Sequence, residues 1–157
     1  MRLLKFGSYV LLVLALQTVV FARLNLFGAA PDLVLISVIL FAVLEDRKNA
    51  LLFAAGAAFL QDILGHGIYL NMVVKLLVGY LVSSIKEGFA GDELFQAIGS
   101  TAVFTPLALL AEGVVYYLFF GRQIDVLAFA ASLVLSTFFN VLLVPILFPL
   151  ARRVARA

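Results

Sequence analysis

The sequence predicts an all-α integral membrane protein, a six-helix transmembrane bundle with both termini in the cytoplasm, and three observations predict it. Hydrophobic residues make up 65% of the chain and charged residues only 13%, about half the share of an ordinary soluble domain. The charges are gathered in short clusters, leaving uncharged runs at 6–22, 33–44, 49–61, 63–74, 76–85, 94–111 and 126–151. Eight of the eleven Lys and Arg fall on one side of the resulting topology, with Arg23 and Arg122 on the other and Lys75 in a span. Six spans of about 20 residues consume roughly 120 residues, so a chain of 157 keeps no room for a folded domain outside lipid. The whole of 1–157 is therefore expected to be one transmembrane domain.

Helix one is placed at about 6–22. Arg2 and Lys5 ahead of it and Val20-Phe21-Ala22 at its end suit a signal peptide, but the apolar run exceeds the usual limit of about 15 residues and membranous chain follows, so a retained helix is expected. Helix two, at about 28–44, has Pro31 in its first turn and Asp32 near the positive end of its dipole. Helix three, at about 49–66, and helix four, at about 68–86, meet in a tight Gly65-His66-Gly67 turn. Helix five spans about 94–120 and is expected to kink at Pro106, with Thr101 or Thr105 re-satisfying the freed carbonyls. Helix six, about 126–151, contains Pro145 and should behave alike. With the termini inside, the cytoplasmic side holds Arg2, Lys5, Arg47, Lys48, Lys86, Arg152, Arg153 and Arg156 of the eleven Lys and Arg, which is the expected inside bias.

Some ionisable groups must lie within spans, because a 12-residue run covers only about 18 Å of helix. Depth along each helix carries Gln17, Asp32, Asp62, His66, Lys75 and Glu112 to the outer half of the membrane. One charge at a helix centre costs about 2.5–3.5 kcal/mol, so such groups are expected to face each other or water. For Asp32, His66 and Lys75 the headgroup region and the interior both remain open; Asp62 and Glu112 are expected inside, with Lys75 as counter-ion for either. Stripes support inward faces: Lys75, Gly79 and Ser83; Ala128, Ser132, Ser136 and Asn140; Thr101, Thr105, Ala108 and Glu112; Ala50, Ala54 and Ala58. The candidate outer-side polar pocket thus comprises Gln17, Asp32, Asp62, His66, Lys75, Glu112 and Asn140.

Several function classes are excluded or disfavoured. Without Cys there is no disulfide, thiolate metal site or cysteine nucleophile. A net charge of +2 spread over chain ends and turns gives no footprint for nucleic acid. Asp32 and Asp62 resemble the paired aspartates of lipoprotein signal peptidases, but Phe139-Asn140 is followed by Val141 where those enzymes carry a catalytic Asp. No G-x-S-x-G elbow serves His66, and no P-loop is present. Asp62 and His66 at i, i+4 offer two metal ligands only. The expectation is a protein without enzyme activity, cofactor or metal.

The ordered features resemble the rod shape-determining protein MreD family. The resemblance rests on Pro31-Asp32-Leu33, on Gly56-Ala-Ala-Phe59-Leu-Gln-Asp62, on the following Gly67, and on Lys75 to Leu81 with its Gly79-Tyr80-Leu81; length, span number and short loops agree across the chain. Where that family often has a second glycine after the phenylalanine of helix three, Leu60 and Gln61 stand here. The resemblance implies a multi-pass protein of the bacterial cytoplasmic (inner) membrane, part of the cell-elongation machinery (elongasome), with an MreC-like protein, the actin-like MreB and the peptidoglycan polymerase and transpeptidase as partners besides membrane lipid. It also implies a fold similar to the substrate-binding subunits of energy-coupling-factor (ECF) transporters. The alternative function is accordingly a small-molecule, vitamin-like binding subunit, with Asp62, Lys75, Glu112 and Asn140 contacting a polar ligand. Against it, the Ala-x-x-x-Ala pattern of those subunits is lacking in helix one, where Leu11 and Val19 flank Ala15.

Overall fold

The computed structural model describes residues 2–21, 23, 28–65, 69–89 and 91–156. Among them the chain is helical almost throughout, with six α-helices: α1 (Arg2–Ala15), α2 (Leu33–Leu44), α3 (Arg47–Leu64), α4 (Leu70–Ile85), α5 (Glu93–Phe120) and α6 (Val126–Ala155). A π-helical stretch, Leu16–Phe21, continues α1, and a single 3-10 turn, Lys86–Gly88, ends α4. Three helical segments are long and apolar enough to cross a membrane, Leu4–Phe21, Glu93–Phe120 and Val126–Ala155.

The core is built around α2. Its sequence is apolar on every side, so it can be stable only where protein surrounds it, and eleven of its twelve residues are buried. At about 1.5 Å per residue it is only about 18 Å long, so with its C-cap Glu45 at the basic end its N-terminus lies inside the bundle. The other helices wrap it. Ala50, Ala54 and Ala58 of α3 are fully buried, and Gly79 of α4 sits so close that an added Cβ would lie 3.3 Å from Val38 Cγ1 and 3.5 Å from Ala54 Cβ. Small residues let these backbones approach, as the stripes foresaw. From α1, Tyr9 packs edge-on to Phe41, which stacks on Phe53 at 4.1 Å between centroids. Its hydroxyl meets Ser37 Oγ at 3.0 Å, while Ser37 Oγ donates to the Leu33 carbonyl at 2.7 Å.

Boundaries differ from the sequence expectation in instructive ways. Helix two starts at Leu33 rather than near 28, because Asp32 takes extended backbone geometry and its carboxylate accepts the Leu35 N–H as an N-cap. Pro31 therefore precedes the cap instead of occupying the first turn. Helix five runs unbroken past Pro106, and helix six past Pro145 and Pro149. Neither threonine takes the role assigned to it there: the Thr105 hydroxyl accepts from Asn140, and the Thr101 hydroxyl has no partner among the described residues. The Gly65-His66-Gly67 turn lies outside the described residues apart from Gly65.

Helices α5 and α6, of 28 and 30 residues, form a long hairpin whose turn opens at Gly121 in the left-handed conformation, φ 60°. Basic groups collect at the opposite end of the bundle. There Arg152 and Arg156 pair with Glu93 at 3.3 and 3.2 Å, Arg47 lies over the Tyr80 ring, and Lys86 Nζ donates to the Glu45 carbonyl.

The packing makes a direct prediction. Ala54→Leu forces side-chain volume between α3, α4 and α2 and should destabilise the protein by about 1–3 kcal/mol, whereas Leu52→Ala, at a position 63% exposed, should change stability by less than about 0.5 kcal/mol. Unfolding free energies in mixed micelles check the pair.

Candidate functional site: a polar network at buried helix ends

A helix end leaves backbone N–H groups without intrahelical partners, and where the end is buried no water replaces them. The N-terminus of α2 is such an end, set inside the bundle. Four side chains converge on it. Asn140 Oδ1 accepts the Asp32 N–H at 2.9 Å, Gln17 Oε1 accepts the Leu33 N–H at 2.7 Å while its Nε2 donates to the Pro31 carbonyl at 3.1 Å, and Asp32 Oδ1 accepts the Leu35 N–H at 2.9 Å. Lys75 Nζ binds the other carboxylate oxygen of Asp32 at 2.8 Å.

The network continues to a second helix end. Lys75 Nζ also donates to Asn71 Oδ1 at 2.8 Å, and Asn71 Nδ2 donates to Asp62 Oδ1 at 2.9 Å. Asp62 Oδ2 accepts the N–H of Met72, the third residue of α4, at 2.9 Å. The N-cap of α4 is Tyr69, a residue in the left-handed region at φ 59° whose side chain makes no cap bond. Asp62 caps α4 in its place, from the neighbouring helix, where the helix dipole also favours a negative charge.

This assigns a common role to the aspartates. Asp32, Asp46, Asp92 and Asp125 are the N-caps of α2, α3, α5 and α6, each accepting a backbone N–H of its own helix, and Asp62 serves α4. Those are all the aspartates in the chain. What differs is burial: Asp62 and Lys75 are 1% exposed and Asn140 is fully buried.

Of the seven residues the sequence nominates, Gln17, Asp32, Lys75 and Asn140 are joined directly around the start of α2, and Asp62 is joined through Asn71. Glu112 is half-buried and interacts electrostatically with Lys75, Asp32 and Asp62, but it makes no hydrogen bond or ion pair among the described residues. His66 lies outside the described residues. The expected counter-ion is corrected: the ion pair of Lys75 is with Asp32, and Asn71, which bonds to both, stands between Lys75 and Asp62. The sequence reading missed Asn71, whose signal was its place one turn before Lys75 on the stripe Lys75, Gly79, Ser83. It also missed Tyr9 and Ser37.

Chemically, the arrangement holds two carboxylates, one ammonium and three amides with their donors and acceptors largely matched to one another. No group of three or more His, Cys, Asp or Glu suited to a metal occurs among the described residues. A separate apolar groove of about 430 Å³ runs between α1 and α3, lined by Phe6, Gly7, Val10, Leu52, Gly56 and Leu60 among others. A Cβ added at Gly7 or Gly56 would meet nothing, so these glycines keep the groove open without being required by the packing of the chain itself. In comparisons with known proteins, no family model, no curated protein and no solved structure matches the chain.

The network predicts graded losses. Asn140→Leu strands the Asp32 N–H and should cost about 1–3 kcal/mol. Lys75→Met leaves the partly buried Asp32 carboxylate without its cation and should cost about 3–5 kcal/mol, with Asp32→Asn in the same chain restoring more than half, since Asn also caps helices well. A double-mutant cycle on unfolding free energy checks both.

Proposed function

We propose that the chain is a six-span protein of the bacterial cytoplasmic membrane with both termini inside, and a non-enzymatic assembly subunit of the cell-elongation machinery. It binds the transmembrane helix of an MreC-like partner and, through that complex, couples MreB filaments to the peptidoglycan polymerase and transpeptidase to maintain rod shape. The observation that carries the reading is the convergence of the motif residues. Asp32, Asp62 and Lys75 come from three separate stretches of the resemblance and belong to one hydrogen-bonded network, and Gly79, from the same motif as Lys75, is the close-approach point between α4, α2 and α3.

The basic end formed by Arg47, Lys48, Lys86, Arg152, Arg153 and Arg156 supports the orientation. The apolar groove at Gly7 and Gly56 supports helix docking, because small residues on a lipid-facing surface let a second helix backbone come close. The transporter-subunit reading draws less support, since the polar groups it would offer a ligand are engaged with helix ends and with each other.

Affinity recovery from detergent-solubilised membranes tests the reading. An MreC-like single-span protein should co-purify, and Gly56→Leu, which fills the groove, should cut recovery by about tenfold or more while thermal stability stays unchanged. Clean recovery of an ATPase-coupled transporter module in place of that partner would overturn it.

A further inference from the structure

Helices α5 and α6 each divide into two parts of different character. The parts nearer the basic end, 93–105 and 140–155, are packed into the bundle, with Ala97, Thr101 and Phe104 buried on α5 and Val144, Phe148 and Ala151 on α6. Beyond Thr105 the buried residue of α5 is Ala108 alone, and ahead of Asn140 that of α6 is Ser136 alone. These outer parts lie against each other, the Phe129 ring filling the place a Cβ on Gly113 would take. Because Asn140 bonds both Thr105 and the Asp32 N–H, the division falls at the level where α2 begins. Pro106 to Phe120 is 14 residues, about 21 Å of helix, so the outer parts stand beyond that level as a hairpin arm.

The same level is a line of missing backbone bonds. A proline in a helix interior has no N–H for the carbonyl four residues back, so Pro106 releases the carbonyl of Ala102 and Pro145 that of Val141. Asn140 on Thr105 and Arg152 on Glu93 set the register of the two antiparallel helices. In that register 102–106 of α5 lies beside 139–143 of α6, so the gap at Pro106 overlaps the gap at 141–145. Pro149 leaves a further gap, but within the packed part, flanked by the buried Phe148 and Ala151.

A helix bends most readily where its hydrogen-bond ladder is interrupted, and a segment moves most readily where little of it is buried. Both conditions meet at one level here, on both helices of the hairpin. We infer that the outer parts of α5 and α6 form a single arm that pivots as a unit on Pro106 and Pro145 against the rest of the bundle. Thr105 and Asn140 lie at the pivot, so the start of α2 stays capped while the arm moves. Among the described residues, the hydrogen bond tying the arm to the rest is that of Ser132 Oγ to the Gly28 carbonyl, a weak one at 3.4 Å. Glu112 rides on the arm and interacts electrostatically with Lys75, Asp32 and Asp62, so the pivot sets how closely this carboxylate covers the polar network. The device needs only the hairpin and its prolines, and it is independent of any partner.

The chain has no Cys, which permits spin labels at pairs of introduced cysteines, with the distances between them read by pulsed electron paramagnetic resonance in phosphatidylcholine vesicles. Val114→Cys and Val134→Cys, each combined with Ile63→Cys on α3, report the arm; Phe95→Cys with Leu52→Cys reports the packed part, and all five positions are exposed. Both arm pairs should give distance distributions at least about twice as broad as the control pair. Pro106→Ala with Pro145→Ala restores both N–H groups and should narrow the arm pairs to the width of the control. Arm distributions as narrow as the control in the unaltered hairpin would overturn the pivot. Broadening on α5 alone or α6 alone would overturn the arm as a unit, and a width indifferent to the two alanines would overturn the prolines as its axis.

Discussion

The structure depends on one constraint: a backbone N–H that ends a helix inside the bundle must find an acceptor there, because burial keeps water from supplying it. Helix α2 creates that demand by being apolar all round and too short to reach from the basic end, where Glu45 caps it, to the opposite surface. Gln17, Asp32 and Asn140 meet it at the start of the helix. Each brings another element with it. Gln17 ties down the π-helical end of α1, Asn140 ties α6 and, through Thr105, α5, and the charge of Asp32 draws Lys75 and hence α4 inward. Satisfying one helix end thereby fixes the position of the helices that surround it.

The same logic governs the charges. Asp32 and Lys75 form an ion pair of which one partner is 1% exposed and the other 24%, an arrangement whose desolvation cost is offset only where hydrogen bonds use the remaining donors and acceptors. Here they do, through Leu35 N–H on one side and Asn71 on the other. Asp62 gains from a helix N-terminus what a cation would otherwise provide. Both carboxylates therefore have structural work, and the apolar groove between α1 and α3 is the feature left without an internal purpose.

Much of this was legible in the chain. Uncharged runs located six helices, and the Ala50, Ala54, Ala58 and Lys75, Gly79, Ser83 stripes identified buried faces, because helical period relates residues on one helix directly. Depth along the helices put Gln17, Asp32, Asp62 and Lys75 at one level, and these four belong to one network. What periodicity does not carry is which helix lies against which. Lys75 could be placed inside the bundle, yet its partnership with Asp32 over Glu112 follows from α4 packing on α2, a choice set by Gly79, Val38 and Ala54 fitting together. The start of α2 was misplaced for a related reason: Asp32 reads equally as a first-turn residue or an N-cap until its backbone is seen. Asp62 as a cap supplied across to α4 had no local signal at all, since Tyr69 does not resemble a cap residue.

Backbone hydrogen exchange at the start of α2 tests the central claim most directly. The amides of Asp32, Leu33 and Leu35 have no intrahelical acceptor of the usual kind and are bonded to Asn140, Gln17 and Asp32 side chains, so in micelles they should exchange as slowly as the core amides of α2 such as Ile39 and Leu40. Exchange as fast as that of the exposed 121–123 turn would mean that the network does not hold this helix end, and the account built on it would fail.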